Sequence, residues 1–139
     1  EDKYVVIDSL PVGNDQYEFS HNLQSENSTS GSFNGLIYRD ALSDGWFSYD
    51  MAVDNTVTNY LKVKYFSGDV GRRFKIFVDG EVLADVTLEN PYPNNFYDVY
   101  YEIPQEMIGD KDKITVKFQA ETGSLAGGIF DRISIVKEK

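Results

Sequence analysis

The chain has 139 residues and no cysteine, and 23 acidic residues against 13 Lys and Arg give it a net charge of −10. This length suits one domain with a single packed core, and the lack of cysteine excludes disulfides, thiol nucleophiles and zinc–thiolate sites. The acidic charge disfavours nucleic acids and anionic membranes as partners, because both are bound through Lys and Arg. A neutral sugar is indifferent to net charge.

The chain opens with a predicted strand over residues 4–10, which the run Pro11-Val12-Gly13-Asn14-Asp15 ends. From His21 to Asp44 the chain is rich in Ser, Asn and Gly and shows no regular alternation of apolar and polar residues. We therefore predict a long irregular loop there. Long loops inside compact domains often carry function, so this segment is the first place to look for a site.

Seven further strands are predicted after this loop, because apolar and polar residues alternate with a period of two. Asp79-Gly80 is a two-residue hairpin signal between two of them. Pro104 ends another strand and leads into one helical turn over residues 105–108. Gly127-Gly128 is expected to form the turn before the last strand. The seven strands cover residues 45–53, 60–66, 74–78, 82–88, 96–103, 114–120 and 129–136.

Eight short strands without a long helix between them predict an all-β fold, an antiparallel β-sandwich and specifically a jelly roll. Residues 1–139 are interpreted as one domain. The sequence begins Glu1-Asp2-Lys3, without an initiator Met or a signal peptide, so we interpret it as a segment excised from a larger multidomain protein. The predicted core contains Phe47, Tyr49, Leu61, Val63, Phe74, Ile76, Val78, Ile114, Val116, Phe118, Ile133 and Ile135.

A series of short motifs indicates a family. They are His21-Asn22, Tyr38-Arg39-Asp40-Ala41, Gly45-Trp46-Phe47-Ser48-Tyr49-Asp50, Phe77-Val78-Asp79-Gly80 and Ala126-Gly127-Gly128-Ile129-Phe130. Their order and spacing resemble the domain that follows the catalytic barrel in bacterial β-L-arabinofuranosidase-type glycoside hydrolases. The resemblance covers most of the chain from His21 onward. It implies a galactose-binding-like jelly roll attached to an enzyme whose nucleophile and acid/base lie in another domain.

No residue pattern indicates catalysis by this chain. His21 is the only histidine, and a lone histidine among Ser and Asn is more typical of a hydrogen-bonded loop residue than of a catalytic base. Glycoside hydrolysis needs two facing carboxylates, and nothing distinguishes one pair among the 23 acidic residues. We therefore expect a non-catalytic domain.

Sugar binding is the sharper hypothesis. Trp46 falls on the polar face of its predicted strand, where an aromatic ring can stack on the C–H face of a sugar while planar polar groups bind its hydroxyls. The alternative is that Arg39 and Asp40 pair to fix the loop and that Trp46 caps the core. The predicted sugar-binding residues are His21, Asn22, Tyr38, Arg39, Asp40 and Trp46.

A structural calcium ion is a further hypothesis. Asp8, Glu18 and Asp131 could converge where the first and last strands meet and supply the hard oxygen ligands that calcium prefers. The alternative is an ordinary solvated acidic surface.

These observations lead to one functional expectation with two alternatives. We expect a carbohydrate-binding accessory domain of a secreted, periplasmic or cell-surface bacterial glycoside hydrolase. Its partners would be a neutral oligosaccharide or polysaccharide, such as an arabinose- or galactose-containing plant glycan, and the catalytic domain of the same polypeptide. The first alternative is a purely structural domain that shapes the catalytic barrel, and the second is an independent lectin-like adhesin.

Overall fold

The structure, a computed structural model, describes residues 3–139. Within this range the chain forms ten strands, two short helices and one 3-10 turn over Ser67–Asp69. The helices are α1 (Asp15–Ser20) and α2 (Gln105–Ile108). The strands are β1 (Tyr4–Pro11), β2 (Gln24–Phe33), β3 (Leu36–Ala52), β4 (Asn59–Phe66), β5 (Arg73–Val78), β6 (Glu81–Thr87), β7 (Phe96–Ile103), β8 (Lys113–Ala120), β9 (Ala126–Phe130) and β10 (Arg132–Glu138).

The strands build two antiparallel sheets around one apolar core, which confirms the predicted jelly-roll β-sandwich. The small sheet has the strand order β1-β10-β4-β7, and the large sheet has the order β2-β3-β8-β5-β6. β9 joins the large sheet by pairing with the first residues of β3. The first and last strands are neighbours, with Tyr4 opposite Glu138.

The predicted core is confirmed. All twelve predicted residues are at most 1% exposed. In β3, Phe47 and Tyr49 are fully buried, whereas Trp46 and Asp50 on the opposite face are partly exposed. A slip of one residue would turn the apolar side chains outward, so the burial of this set fixes the register of each strand.

The predicted irregular loop over residues 21–44 is wrong, because most of it forms β2 and the first half of β3. Asn34 and Gly35, with φ of 51° and 86°, make the tight turn between the two strands; both residues tolerate positive φ, as such a turn requires. β2 lies at the edge of the large sheet and is largely exposed. An exposed edge strand does not need apolar alternation, so polar residues form it here.

The single last strand predicted over residues 129–136 is also wrong. Asp131, with φ of 66°, separates β9 from β10. β9 pairs with β3 in the large sheet, whereas β10 pairs with β1 and β4 in the small sheet. Gly127 and Gly128 lie inside β9 and are buried, so they are not the turn before the last strand.

The helix α1 was not predicted, because it carries no apolar stripe that sequence periodicity would reveal. Asn14 caps it by accepting a hydrogen bond from the backbone N–H of Tyr17 at 3.4 Å. Its buried side chain is the charged Glu18. Within residues 3–139, no helix has the length and apolar character needed to cross a membrane.

Candidate functional site

A cavity of about 220 Å³ opens at the end of the sandwich where three segments meet. The β2–β3 hairpin supplies Phe33, Tyr38 and Asp40, and β9 supplies Gly128 and Phe130. The connection between β4 and β5 supplies Asp69 and Arg72. These residues are distant in sequence, and the pairing of β9 with the start of β3 brings two of the segments together.

Aromatic rings form one wall of the cavity. The rings of Tyr38 and Phe130 lie 5.5 Å apart, and the ring of Phe33 packs edge-on against Phe66 at 5.0 Å. Phe96 supports Phe130 from behind at 5.0 Å. Phe33 remains 43% exposed, so part of its surface is open to a ligand.

Glycine at position 128 keeps this wall open. A Cβ atom built there would lie 3.1 Å from the Phe130 ring and 3.4 Å from Cβ of Tyr38. A larger residue would therefore press on both aromatic side chains.

Charged groups also line the cavity. The guanidinium of Arg72 lies 3.2 Å from Oδ1 of Asp69 and donates a hydrogen bond to the carbonyl of Gly127 at 3.1 Å. Asp40 accepts a hydrogen bond from the hydroxyl of Thr29 at 3.1 Å. One cation and two carboxylates thus share a small, partly apolar space.

The protein environment raises the pKa of both carboxyls above the ordinary value of 3.8. For Asp40 the main cause is burial, which the hydrogen bond from Thr29 and the positive charges of Arg72 and Arg39 offset in part. For Asp69 burial again dominates, Arg72 opposes it, and the negative charge of Asp40 raises the pKa further. The nearby positive charges and hydrogen bonds thus do not fully offset the cost of burying these two negative charges. Hydroxyl groups that donate hydrogen bonds to the carboxylates would stabilise them.

This arrangement is suited to binding a polyhydroxylated ligand. Aromatic faces offer apolar contact to ring C–H groups. Carboxylates accept hydrogen bonds from hydroxyls, and a guanidinium donates to hydroxyl or ring oxygens in fixed directions. A concave site with apolar walls and few polar groups is the usual form of a small-ligand site.

The structure brings two of the predicted sugar-binding residues, Tyr38 and Asp40, into this cavity. Sequence reasoning missed Phe33, Asp69, Arg72 and Phe130 as members of the same site. Phe33 belongs to the β2–β3 hairpin, and the pairing of β9 with β3 places Phe130 opposite Tyr38. No local motif marks Asp69 or Arg72, which lie in the connection between β4 and β5.

Arg39 lies on the opposite face of β3 from Tyr38 and Asp40, because neighbouring strand residues point to opposite faces. Its side chain is buried and makes two hydrogen bonds to the carboxylate of Glu18, at 2.8 and 2.9 Å. A third hydrogen bond joins Arg39 to the hydroxyl of Ser28 at 2.9 Å. The guanidinium is thus engaged inside the protein, and its partner is Glu18 rather than Asp40.

His21 and Asn22 lie where α1 leads into β2, and neither lines the cavity. The two ring nitrogens of His21 lie 2.9 Å from a carboxylate oxygen of Asp8 and 2.9 Å from the carbonyl of Tyr17. Asn22 donates a hydrogen bond to Asp50 at 3.0 Å. These contacts connect the end of α1 to β1, through Asp8, and to β3, through Asp50.

Trp46 lies on the outer face of the large sheet, eight positions beyond Tyr38 along β3. In the register with β2, Tyr38 lies opposite Gly31 and Trp46 lies opposite Glu26, because residues 42–45 of β3 bulge out of the ladder. At about 3.3 Å per residue, these five β2 positions separate the two side chains by roughly 16 Å along the sheet. The ammonium group of Lys117 lies 4.9 Å from the centre of the Trp46 ring. Trp46 is therefore on the surface, but it does not belong to the cavity.

The three predicted calcium ligands have separate roles. Asp8 accepts hydrogen bonds from His21 and from the backbone N–H of Ala52, and Glu18 is engaged by Arg39 and by the hydroxyl of Tyr49 at 2.5 Å. Asp131 lies between β9 and β10, where the chain passes from the large sheet to the small sheet. No group of three or more His, Asp or Glu side chains suited to a metal ion occurs within residues 3–139. The carboxylates of Asp8 and Glu18 therefore already accept hydrogen bonds from the protein itself.

The sequence profile of one family matches residues 3–134, and this family is described as "Family of unknown function (DUF6805)". No curated protein matches the chain.

Several solved structures share the fold. A family 35 carbohydrate binding module from Clostridium thermocellum is 12% identical, with a TM-score of 0.57 over 99% of this chain and 100% of that one. A family 6 module from Cellvibrio mixtus lichenase 5A, solved with cellotriose, is 11% identical, with a TM-score of 0.61 over 97% and 100%. An exo-beta-1,3-galactanase from Phanerochaete chrysosporium, solved with galactose, is 15% identical, with a TM-score of 0.61 over 91% of this chain but only 28% of the enzyme. At these identities the likeness establishes the fold alone.

Proposed function

Because this chain belongs to DUF6805, a family of unknown function, we propose a function from its own geometry. The chain is a non-catalytic carbohydrate-binding domain, and the cavity beside Tyr38 is its sugar site. The observation that carries the proposal is the convergence of exposed aromatic surface, two incompletely compensated carboxylates and one guanidinium in a single cavity of about 220 Å³. That volume, below the range of typical drug-sized sites, suits one sugar ring rather than a long buried chain.

The ligand is a neutral glycan, with arabinose- or galactose-containing plant glycans as the first choice. The resemblance to the arabinofuranosidase accessory domain favours arabinose, and the fold shared with the galactose-bound galactanase supports galactose. Ring stacking and exposed hydrogen bonds give weak binding, on the order of micromolar to millimolar. Because the ligand carries no charge, its affinity changes little with salt.

In the whole protein, the domain serves a secreted, periplasmic or cell-surface bacterial glycoside hydrolase of the β-L-arabinofuranosidase type. The catalytic domain of the same polypeptide is its partner. Tethering the enzyme to its substrate raises the local substrate concentration, so a weak sugar site is sufficient.

A purely structural domain is the second candidate, and the surface of α1 favours it. Phe19 is 85% exposed, and Tyr17 beside it is 47% exposed. Aromatic side chains this open to water are suited to contact with a neighbouring domain. This candidate predicts no glycan binding by the isolated chain.

The test measures binding by calorimetry with arabino- and galacto-oligosaccharides chosen by glycan array. Asp40→Asn and Asp69→Asn keep the shape of the cavity but remove its negative charge. Each should weaken binding about tenfold or more, because a hydrogen bond to a charged group contributes about 1.5–3 kcal/mol.

Glu106→Gln is the matched control, since Glu106 lies on the exposed surface of α2 and outside the cavity. It removes the same charge and should leave binding unchanged. Trp46→Ala tests the surface site predicted from sequence. If no neutral glycan binds, or if both Asp variants bind like the parent, the cavity is not a sugar site and the structural role is favoured.

A further inference from the structure

A second concave surface lies on the outer face of the small sheet, and the proposed sugar cavity does not include it. This groove has a volume of about 370 Å³. Lys62, Lys64, Arg132 and Asp98 line it, together with the hydroxyls of Ser9 and Ser134. None of these residues lines the cavity beside Tyr38.

Strand register brings these side chains together. Ser134 of β10 lies opposite Ser9 of β1 on one side and opposite Lys62 of β4 on the other. Lys64 lies opposite Asp98 of β7. Residues directly opposite one another share a face of the sheet, so Ser9, Ser134 and Lys62 form one polar row. Lys64 and Asp98 lie beside it, two positions further along β4 and β7.

The cations of this groove are unusual in a chain with a net charge of −10. Lys64 pairs with Asp98 at 2.9 Å. The ammonium of Lys62 instead lies 5.7 Å from the centre of the Tyr100 ring, and Arg132 donates to the hydroxyl of Ser9 at 2.9 Å. Within residues 3–139, neither Lys62 nor Arg132 forms an ion pair with a carboxylate. Three cations and two carboxylates, those of Asp98 and Asp131, thus line the groove, and two of the cations have no ion-pair partner among the described residues.

The hydroxyls of the groove are held in place. The side-chain oxygens of Ser9 and Ser134 lie 3.0 Å apart, and Ser134 is only 4% exposed. Val6, which is 59% exposed, adds an apolar edge. The groove thus combines positive charge with fixed hydroxyls and an apolar contact.

From this combination we infer that the groove binds a carboxylate-bearing sugar, a hexuronate unit of an acidic glycan. Lys62 and Arg132 lie on either side of Ser134, and their positive charges attract the carboxylate to the groove between them. Val6 contacts the C–H face of the ring. Asp98 and Asp131, which also line the groove, accept hydrogen bonds from ring hydroxyls.

The two aspartates also limit how much negative charge a ligand of the groove can carry. They would repel a dianionic phosphate or a nucleic acid backbone, whereas a sugar with a single carboxylate offers them hydroxyl donors. This site is independent of the neutral-sugar cavity, so either proposal can fail without the other.

The experiment titrates the isotope-labelled chain with D-galacturonate and D-glucuronate and follows amide chemical shifts. D-galactose and inorganic phosphate serve as comparison ligands. Uronates should shift resonances of β4 and β10, with millimolar affinity that falls when NaCl rises from about 0.05 M to about 0.5 M. Lys62→Gln and Arg132→Gln should each weaken uronate binding at least about fivefold.

Lys113→Gln is the matched control, because it removes one positive charge from an exposed position at the start of β8 in the large sheet. It should bind uronate like the parent, and so should Asp40→Asn in the neutral-sugar cavity. Thermal melts check that all variants are folded.

Equal binding of phosphate and uronate would overturn the inference, because it would make the groove a general anion surface. Unchanged uronate affinity in Lys62→Gln and Arg132→Gln would also overturn it. Loss of uronate binding in Asp40→Asn but not in Lys62→Gln would place the uronate in the other cavity.

Discussion

Glu18, Arg39 and Tyr49 form a buried polar cluster that ties α1 to β3. Glu18 is 1% exposed and accepts hydrogen bonds from both other side chains. Burial alone would raise the pKa of Glu18, but the hydrogen bonds from Arg39 and Tyr49 and the charge of Arg39 outweigh it, so this pKa lies below the ordinary 4.5. The carboxylate is therefore ionised inside the protein, and its two partners make that possible.

Glu18→Gln should destabilise the fold by about 3–5 kcal/mol, because it leaves the charge of Arg39 buried without a counterion. Chemical denaturation at neutral pH measures this loss. Lys75→Gln is the control, since Lys75 pairs with Glu121 at a more exposed position. Such surface pairs contribute about 0–1 kcal/mol, so the control should stay close to the parent.

The same cluster sets part of the acid sensitivity. Because the folded pKa of Glu18 lies below its ordinary value, its ionisation stabilises the fold fully above about pH 4.5 and this stabilisation is lost as pH falls through the lowered folded value. The difference in unfolding free energy between the parent and Glu18→Gln should therefore narrow in acid. A difference that stays constant down to pH 3 would contradict the assigned role.

The β2–β3 hairpin is the element that carries the neutral-sugar site, because Phe33, Tyr38 and Asp40 all lie on it. Its turn depends on Gly35, which has φ of 86°. A Cβ atom at this position would meet no other atom within 4 Å, so any cost of a substitution comes from the backbone alone.

Gly35→Ala should reduce stability by about 1–2 kcal/mol, which is the usual cost of a left-handed conformation for an L-residue. It should also weaken sugar binding, because the turn holds Phe33 and Tyr38 in register. Ser25→Ala in β2 of the same hairpin provides the comparison: Ser25 is exposed and needs no positive φ, so it should change stability by less than about 0.5 kcal/mol. Similar melting temperatures for both variants would show that the turn does not limit the hairpin.

The hairpin also shows how far sequence reasoning reaches. Strands with one buried face, such as the half of β3 that holds Phe47 and Tyr49, were predicted correctly because burial imposes alternation. β2 was missed because an exposed edge strand needs no such pattern, although Asn34-Gly35 is a hairpin signal in its own right. The alternation of Phe47 and Tyr49 does not extend to Arg39, because the bulge at residues 42–45 interrupts β3.

Local sequence patterns do not identify the other residues of the candidate site. Phe130 meets Tyr38 through long-range strand pairing, and Asp69 and Arg72 reach the cavity from the connection between β4 and β5. No short motif encodes either contact. Trp46 lies on the outer face of its strand, as predicted. Its distance from Tyr38 follows from the pairing of β2 with β3, which the predicted loop does not contain.

At the scale of the whole molecule, the small sheet joins the two ends of the described chain. β1 pairs with β10 along its length, and the backbone N–H of Lys139 donates to the carbonyl of Lys3 at 3.0 Å. Pairing of strands so far apart in sequence carries a large loop-closure cost, so this sheet should make folding slow, in the range of milliseconds to seconds.

Because this pairing places the two ends of the described chain side by side, the ends could be joined and the chain opened elsewhere without changing the arrangement of the strands. A circular permutant that joins Lys139 to Lys3 by a short Gly-Ser linker and opens in the exposed loop between Asn90 and Pro91 should reach the same sandwich. Cooperative melting and an unchanged circular dichroism spectrum would verify it. The matched permutant that opens inside β8, between Val116 and Lys117, should fail to fold, because it cuts the strand that pairs with both β3 and β5.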